Sequence, residues 1–136
     1  MDAQLFSDGA ARGNPGISSC ACILFDMQMH VLDLHGKYLG NGTNNQAEYQ
    51  GILIGLKLAL KHNVTKLVCY LDSELVVNQL SGYYKVKNAH IAQLKRQIQI
   101  YSQKFVKISY QHVHREKNFL ADKLVNIILD ASLQTK

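Results

Sequence analysis

The sequence predicts an α/β protein with a mixed five-stranded sheet, in which three antiparallel strands are followed by parallel strands and helices flank the sheet. The first third of the chain holds three closely spaced β-rich segments, which is typical of an antiparallel meander. Two later apolar segments alternate with helical stretches, and such crossovers join parallel strands. A chain of 136 residues suits one domain with a sizeable core, so we expect a single domain over residues 1–136.

The meander is predicted from three segments and their turns. Its strands are expected at residues 2–8, 17–26 and 30–40. The run "GAARGNPG" after the first strand, which contains the chain's one proline, predicts a turn. Residues 41–44, "NGTN", predict a second turn with capping residues before the first helix.

The rest of the chain alternates helices with two strands. Helices are predicted at residues 45–62, 73–82, 89–105 and 118–133, and strands at 66–72 and 106–113. The run "KLVCYLD" is almost unbroken in apolar residues, as expected of a strand buried on both faces. Apolar residues in the third helix repeat at Ile91, Leu94, Ile98 and Tyr101, which forms one helical stripe.

Composition limits the function classes. The net charge is +5, and the basic residues are concentrated in the second half of the chain. This distribution favours a polyanionic binding partner such as nucleic acid. A basic face that is merely solvated remains the alternative. No apolar run approaches the roughly 20 residues that cross a bilayer, so we expect no membrane partner and a cytoplasmic location. The three cysteines lack zinc-site spacing and are expected to be buried and reduced.

Four carboxylates stand out by their positions. They are Asp8 and Asp72, each ending an apolar strand, Glu48 near the start of an apolar helix, and Asp122 in the last helix. Simpler roles remain open at this point: caps for the two aspartates at strand ends, helix-dipole stabilisation for Glu48 and a salt bridge for Asp122.

Together the four predict a site. Carboxyl ends of strands and a helix start can meet at one rim of an α/β sheet. Carboxylates brought together raise one another's pKa, and hard divalent cations with oxygen ligands relieve that repulsion. A basic protein with such a cluster is expected to be a metal-dependent phosphodiesterase.

Four blocks of the chain resemble the type 1 ribonuclease H family in order and spacing. They are "SDGAARGNPG", "TNNQAEYQGILIGLKLAL", "LDSELVVNQL" and "HVHREKNFLAD". The resemblance covers essentially the whole chain and implies a ribonuclease H-like fold. It implies hydrolysis of the RNA strand of RNA/DNA hybrids to 5′-phosphate and 3′-hydroxyl products. It also implies two divalent ions, Mg²⁺ or Mn²⁺, held by Asp8, Glu48, Asp72 and Asp122.

The resemblance further implies a set of substrate-binding residues. Those expected at the hybrid's minor groove, where 2′-hydroxyls are read, are Gly9, Asn14, Asn44, Asn45 and Gln46. Small residues after Asp8 are expected to let the backbone approach the sugar closely. Plain turn chemistry is the alternative for these segments.

The loop before the last carboxylate offers "QHVHREKN". We expect His114 and Arg115 to assist catalysis near the scissile phosphate, with His112 as a substrate contact that alternatively packs at the strand end. Asn118 is expected either to touch substrate or to cap the final helix.

The chain departs from many bacterial members of the family in one respect. It lacks the basic, tryptophan-containing protrusion, and has no tryptophan at all. Lys85 and Lys87 are expected to hold the DNA strand in its place, with fewer phosphate contacts and weaker hybrid binding.

Other functions and partners remain open. A non-catalytic nucleic-acid-binding module and another superfamily nuclease, such as a junction resolvase or integrase-like enzyme, are the alternatives. Double-stranded RNA is a second candidate substrate. The chain is expected to act as a monomer, and its ends favour a free enzyme over a polyprotein fragment.

Overall fold

The computed structural model describes residues 1–134 and confirms the predicted fold class. The elements in chain order are β1 (Asp2–Arg12), β2 (Gly16–Phe25), β3 (Val31–Gly42), α1 (Asn44–Lys61), β4 (Lys66–Leu71), α2 (Glu74–Leu80), α3 (Ala89–Ser102), β5 (Lys107–His112), a 3₁₀ turn (Arg115–Asn118) and α4 (Phe119–Gln134). No helix among these residues is both long and apolar enough to span a membrane.

The sheet has the strand order β3-β2-β1-β4-β5. β1, β2 and β3 form the antiparallel meander, while β4 pairs in parallel with both β1 and β5. The central strand β1 therefore lies beside the first strand of the parallel part. Its last parallel pair is Phe6 with Tyr70, and beyond that point β1 pairs with β2 alone.

Helices cover both faces of the sheet. Leu5, Cys22 and Cys69 belong to the main core with α1, α2 and α3. Ala21, next to Cys22 in β2, instead packs with Val125 and Leu129 of α4. Since neighbouring residues in a strand point to opposite faces, α1 and α4 lie on opposite sides of the sheet.

Several predicted boundaries were wrong by a few residues, and the first strand matters for the site. β1 runs to Arg12 rather than ending at Asp8, because residues 9–12 continue the antiparallel ladder with β2. The turn "GAARGNPG" is thus reduced to Gly13–Pro15. Asp8 lies within the strand, at the place where its parallel neighbour stops.

Side-chain caps fix the helix starts. Thr43 and Gln46 form a capping box at α1, with Thr43 Oγ1 accepting from the Gln46 amide at 3.2 Å. Ser73 Oγ accepts from the Val76 amide at the start of α2, and Asn88 caps α3. These residues satisfy backbone amides that would otherwise lack partners.

Candidate active site

Three carboxylates meet at the end of β4. Asp8 lies within β1, Glu48 lies on α1, and Asp72 directly follows β4. One carboxylate oxygen from each lies within 4.8 Å of those of the other two. Because β1 continues past the end of β4, the Asp8 side chain stands beside the first residue after that strand, which is Asp72.

Gly9 allows α1 to reach this cluster. A Cβ on Gly9 would overlap the carbonyl carbon of Ala47 and lie 2.5 Å from the amide nitrogen of Glu48. The helix backbone therefore occupies the space that a side chain would need. The missing side chain at this position makes room for α1; the expected close approach of substrate to the Gly9 backbone stays a prediction.

The simpler roles of two carboxylates are filled otherwise. Ser73, not Asp72, caps α2. Glu48 lies beyond the first turn of α1, which contains no acidic residue, so helix-dipole stabilisation does not explain its burial.

Burial and mutual repulsion perturb the cluster. Burial, together with the charges of Asp72 and Asp122, raises the pKa of Asp8 to about 7. A hydrogen bond from Glu48 and one from the Gly9 amide act in the opposite direction and lower this pKa. Burial, followed by the charges of Asp8 and Asp72, raises the pKa of Glu48 well above its ordinary value. Burial also raises the pKa of Asp72. Burial and like charge thus favour protonated carboxyl groups in this cluster.

The donor set fits a divalent cation. Glu48 Oε2 is buried and accepts no hydrogen bond in the part of the chain described, an arrangement that is costly unless something else satisfies the atom. Three carboxylates supply only oxygen ligands, the type that Mg²⁺ and Mn²⁺ prefer. The residues present thus fit the ions that the resemblance implied.

Asp122 lies at the edge of this cluster. It is in the first turn of α4, half-buried, and is not one of the three carboxylates that approach within 4.8 Å. Its charge nevertheless raises the pKa of both Asp8 and Asp72, so its carboxylate faces the same site.

The loop after β5 borders Asp72. Arg115 and His112 both lower the pKa of Asp72, the arginine more strongly. The His112 side chain is exposed rather than packed at the strand end, and its ring meets that of His114 edge-on at 6.0 Å. His114 is exposed and precedes the 3₁₀ turn.

The structure supports neither of the two roles expected of Asn118, which were contact with substrate and capping of α4. Its side chain is 1% exposed, so it cannot reach out to substrate. Its Nδ2 donates to the Ser7 carbonyl oxygen at 2.8 Å and to Asp72 Oδ2 at 3.4 Å. It therefore ties the 3₁₀ turn to β1 and β4 instead of capping α4. No sequence pattern marked Ser7 as part of this arrangement.

The predicted minor-groove residues form a second group. Asn44 Oδ1 accepts from the Ala11 amide at 2.8 Å, and Asn14 Oδ1 accepts from the Asn44 amide at 3.0 Å. Gln46 Oε1 accepts from the Thr43 amide at 3.0 Å. These bonds hold the turn after β1 against the start of α1, where Asn45 is half-buried.

Lys85 and Lys87 lie apart from both groups. They are exposed in the segment between α2 and α3, as are Tyr83 and Tyr84. Nothing in the described structure pairs either lysine with a carboxylate, which leaves both charges free to face an anion.

Comparisons with known proteins place this arrangement in a family. A family model described as "Reverse transcriptase-like" matches residues 6–127. The ribonuclease H1 structure from Halobacterium salinarum superposes with a TM-score of 0.93 at 30% identity, covering 96% of this chain and 99% of that one. The structure of LC11-RNase H1 in complex with RNA/DNA hybrid superposes with a TM-score of 0.91 at 32% identity, covering 96% and 99%. The chain therefore belongs to the type 1 ribonuclease H family.

A longer relative is similar over the same region. The bifunctional protein Rv2228c of Mycobacterium tuberculosis is 36% identical over 136 residues, which are 99% of this chain and 37% of the relative. Its N-terminal RNase H domain, solved as a fusion with maltose-binding protein, superposes with a TM-score of 0.95 and covers 98% of this chain and 97% of that one. This chain thus spans little more than a third of the full-length relative.

Proposed function

We propose that this chain hydrolyses the RNA strand of RNA/DNA hybrids, leaving 5′-phosphate and 3′-hydroxyl ends. The observation that carries the proposal is the meeting of Asp8, Glu48 and Asp72, with one buried Glu48 oxygen that accepts no hydrogen bond. Family membership and the hybrid complex of a relative at 32% identity support the choice of substrate.

Two divalent ions, Mg²⁺ or Mn²⁺, are proposed to bind at these carboxylates, with Asp122 as the fourth ligand. When bound, they would activate the attacking water and stabilise charge on the departing 3′ oxygen. The chain's own residues hold the carboxylates in place: Gly9 admits α1, and Asn118 anchors Asp72. Such fixed positioning supplies much of the barrier reduction in phosphoryl transfer.

Substrate contacts are proposed in two places. The side-chain oxygens of Asn14 and Asn44 already accept backbone hydrogen bonds. Their side-chain NH₂ groups are therefore proposed to face the minor groove. Lys85 and Lys87 contact DNA phosphates. Arg115 lies near Asp72 and would face the scissile phosphate, with His114 beside it.

A cleavage assay tests the proposal. A labelled hybrid of about one helical turn is incubated with the protein over a range of Mg²⁺ and Mn²⁺ concentrations, alongside double-stranded RNA and junction DNA of matched length. We expect the RNA strand of the hybrid to be cut only with metal. Cleavage is expected to be lost in Asp8→Asn and Asp72→Asn and kept in the control Asp2→Asn, which changes an exposed carboxylate.

Each contrary result has a clear meaning. Tight hybrid binding without cleavage in any metal would favour a binding module, and cutting of junction DNA alone would favour a resolvase-like enzyme. Cleavage of double-stranded RNA as well would widen the substrate range. The proposal also includes a monomeric state and a cytoplasmic location. Light scattering checks the first, and cell fractionation checks the second.

A further inference from the structure

An apolar pocket opens next to the carboxylate site, on the face of the sheet that α4 only partly covers. Its volume is about 210 Å³. It lies between the sheet, the turn after β2 and the start of α4, and its walls include Phe6, Phe25, Met29, Lys117, Phe119 and Leu120. None of these residues has a role in the proposed cleavage.

The sheet side of the pocket is a fixed aromatic wall. The Phe6 ring stacks on Tyr70 at 4.8 Å and meets Phe25 edge-on at 5.5 Å. Met29 opposes it from a turn in which its sulfur accepts a hydrogen bond from Gln4 Nε2 at 3.2 Å. A pocket whose rings are already held in place binds a ligand without a large ordering cost.

The mouth of the pocket is apolar but has positively charged lysine side chains beside it. Phe119, Leu120 and Met29 are each about half exposed, which leaves apolar surface in water. Lys117 lines the same mouth and pairs with no carboxylate within residues 1–134. Lys123 adds a second positive charge, since its Nζ lies 5.6 Å from the centre of the Phe119 ring.

From this combination we propose that the pocket binds a planar aromatic monoanion, with its rings between Phe6 and Phe119 and its anionic group at Lys117. A cavity of roughly 150 Å³ lined by apolar residues accepts benzene, so this larger one has room for two fused rings. The lysine favours an anion over a neutral or cationic ring system.

Asn118 connects the pocket to the carboxylates. It lines the pocket and also donates to Asp72 Oδ2. Its side-chain amide therefore provides a spectroscopic signal that should respond when the pocket is filled. This signal does not require cleavage, so the proposal stands or falls independently of the proposed function.

The test compares two probes of equal shape: naphthalene-2-sulfonate, which is anionic, and naphthalene-2-sulfonamide, which is neutral. Binding to the whole chain is followed by amide NMR and by fluorescence. We expect the sulfonate to shift the resonances of Lys117, Asn118 and Leu120 and to bind about three-fold or more tightly than the sulfonamide, the gain of a partly exposed ion pair.

Variants separate the two contributions. Lys117→Gln is expected to remove the preference for the sulfonate, whereas Lys37→Gln, on an exposed lysine of β3, keeps it. Leu120→Trp is expected to fill the mouth and abolish binding of both probes. Ile127→Trp, a matched change at a half-exposed position of α4 outside the pocket, is not.

Three results would overturn the proposal. They are equal affinity for the two probes, resonance shifts centred elsewhere on the protein, and unchanged binding in Leu120→Trp when circular dichroism confirms that the variant is folded.

Discussion

The Asn118 side chain lies 2.8 Å from the backbone carbonyl oxygen of Ser7, the residue that precedes Asp8. The same nitrogen reaches Asp72. One buried amide thus holds two of the three clustered carboxylates in register, although it does not touch a metal or substrate in the mechanism proposed.

Replacing Asn118 by alanine is expected to lower kcat about 10- to 100-fold, because groups that orient metal ligands have effects of that size. It should also reduce the free energy of unfolding by about 1–3 kcal/mol, since the buried Ser7 carbonyl loses its donor. Steady-state kinetics with a KM that changes little, together with urea unfolding, check both effects. Asn41→Ala, on an exposed residue of β3, serves as the control, and an Asn118→Ala enzyme with normal kcat would contradict the positioning role.

A methyl group at Gly9 is expected to be poorly tolerated. Its Cβ would overlap the α1 backbone, and strain of this kind costs about 1–3 kcal/mol or more. Gly40→Ala provides the comparison: Gly40 has a positive φ of 76° but nothing within 4 Å of its added Cβ, so only backbone strain remains. Thermal unfolding should rank Gly9→Ala well below Gly40→Ala, and the reverse order would show that α1 is not held as closely as described.

Stability without metal is expected to fall as pH rises. The pKa of Asp8 is raised from 3.8 to about 7, so the folded state binds a proton more tightly than the unfolded state. That contribution is complete below about pH 4 and is lost as pH rises through about 7. The melting temperature measured in the presence of a chelator should therefore fall over this pH range. The reference variant Asp2→Asn, which leaves the cluster intact, should show the same fall.

Asp8→Asn supplies the decisive comparison for that profile. Removing the charge should make the metal-free protein more stable than the parent at pH 8 and flatten its dependence on pH. Mg²⁺ should stabilise the parent at pH 8, because a ligand that binds only the folded state raises its stability. If the melting temperature of the parent protein changes with neither pH nor Mg²⁺, repulsion among the carboxylates is not supported.

Arg115 is expected to influence the acidic limb of the pH–rate profile through Asp72. Its positive charge lowers the pKa of Asp72, so Arg115→Gln should raise that pKa and move the loss of activity to higher pH. His114→Gln should move the limb less, because the main charges acting on Asp72 are those of Arg115, Asp122 and His112. Profiles of kcat/KM measured from pH 5 to 9 distinguish the two residues, and equal shifts in both variants would refute the assignment.

The two exposed lysines after α2 are expected to act through phosphate contacts. Lys85→Gln and Lys87→Gln should each weaken hybrid binding and reduce the slope of log affinity against log salt by about 1. Lys107→Gln is the control, because Lys107 begins β5 whereas the carboxylates lie beyond the opposite end of the neighbouring strand β4. Unchanged salt slopes in the two variants would exclude these lysines from the interface.

The sequence predicted most of the fold because its signals were local. Period-two and helical patterns located the five strands and four α-helices of residues 1–134, and the step from a meander to crossovers gave the mixed sheet. Strand ends were less certain: nothing in "DGAAR" distinguishes a turn from a strand that continues along one neighbour only. The extension of β1 to Arg12 depends on β2, which the local sequence does not reveal.

The site was predictable where a residue's chemistry was conspicuous. Carboxylates at the ends of apolar segments drew attention to Asp8, Glu48 and Asp72, and the structure brings these together. Asn118 was misjudged because an asparagine ahead of a helix commonly caps it, whereas its real partners are 46 and 111 residues away. The packing role of Gly9 was missed for a similar reason, since the need for close packing against α1 is a tertiary property.

Direct titration of metal measures whether the three carboxylates hold a divalent cation. Mn²⁺ binding to the metal-free protein at pH 8, followed by electron paramagnetic resonance, should saturate in the parent and in Asp2→Asn. Affinity should fall at least ten-fold in Asp8→Asn and in Asp72→Asn, each of which removes an oxygen ligand from the cluster. If Asp8→Asn and Asp72→Asn bind Mn²⁺ as the parent does, the three carboxylates are not a metal centre and the proposed cleavage chemistry fails.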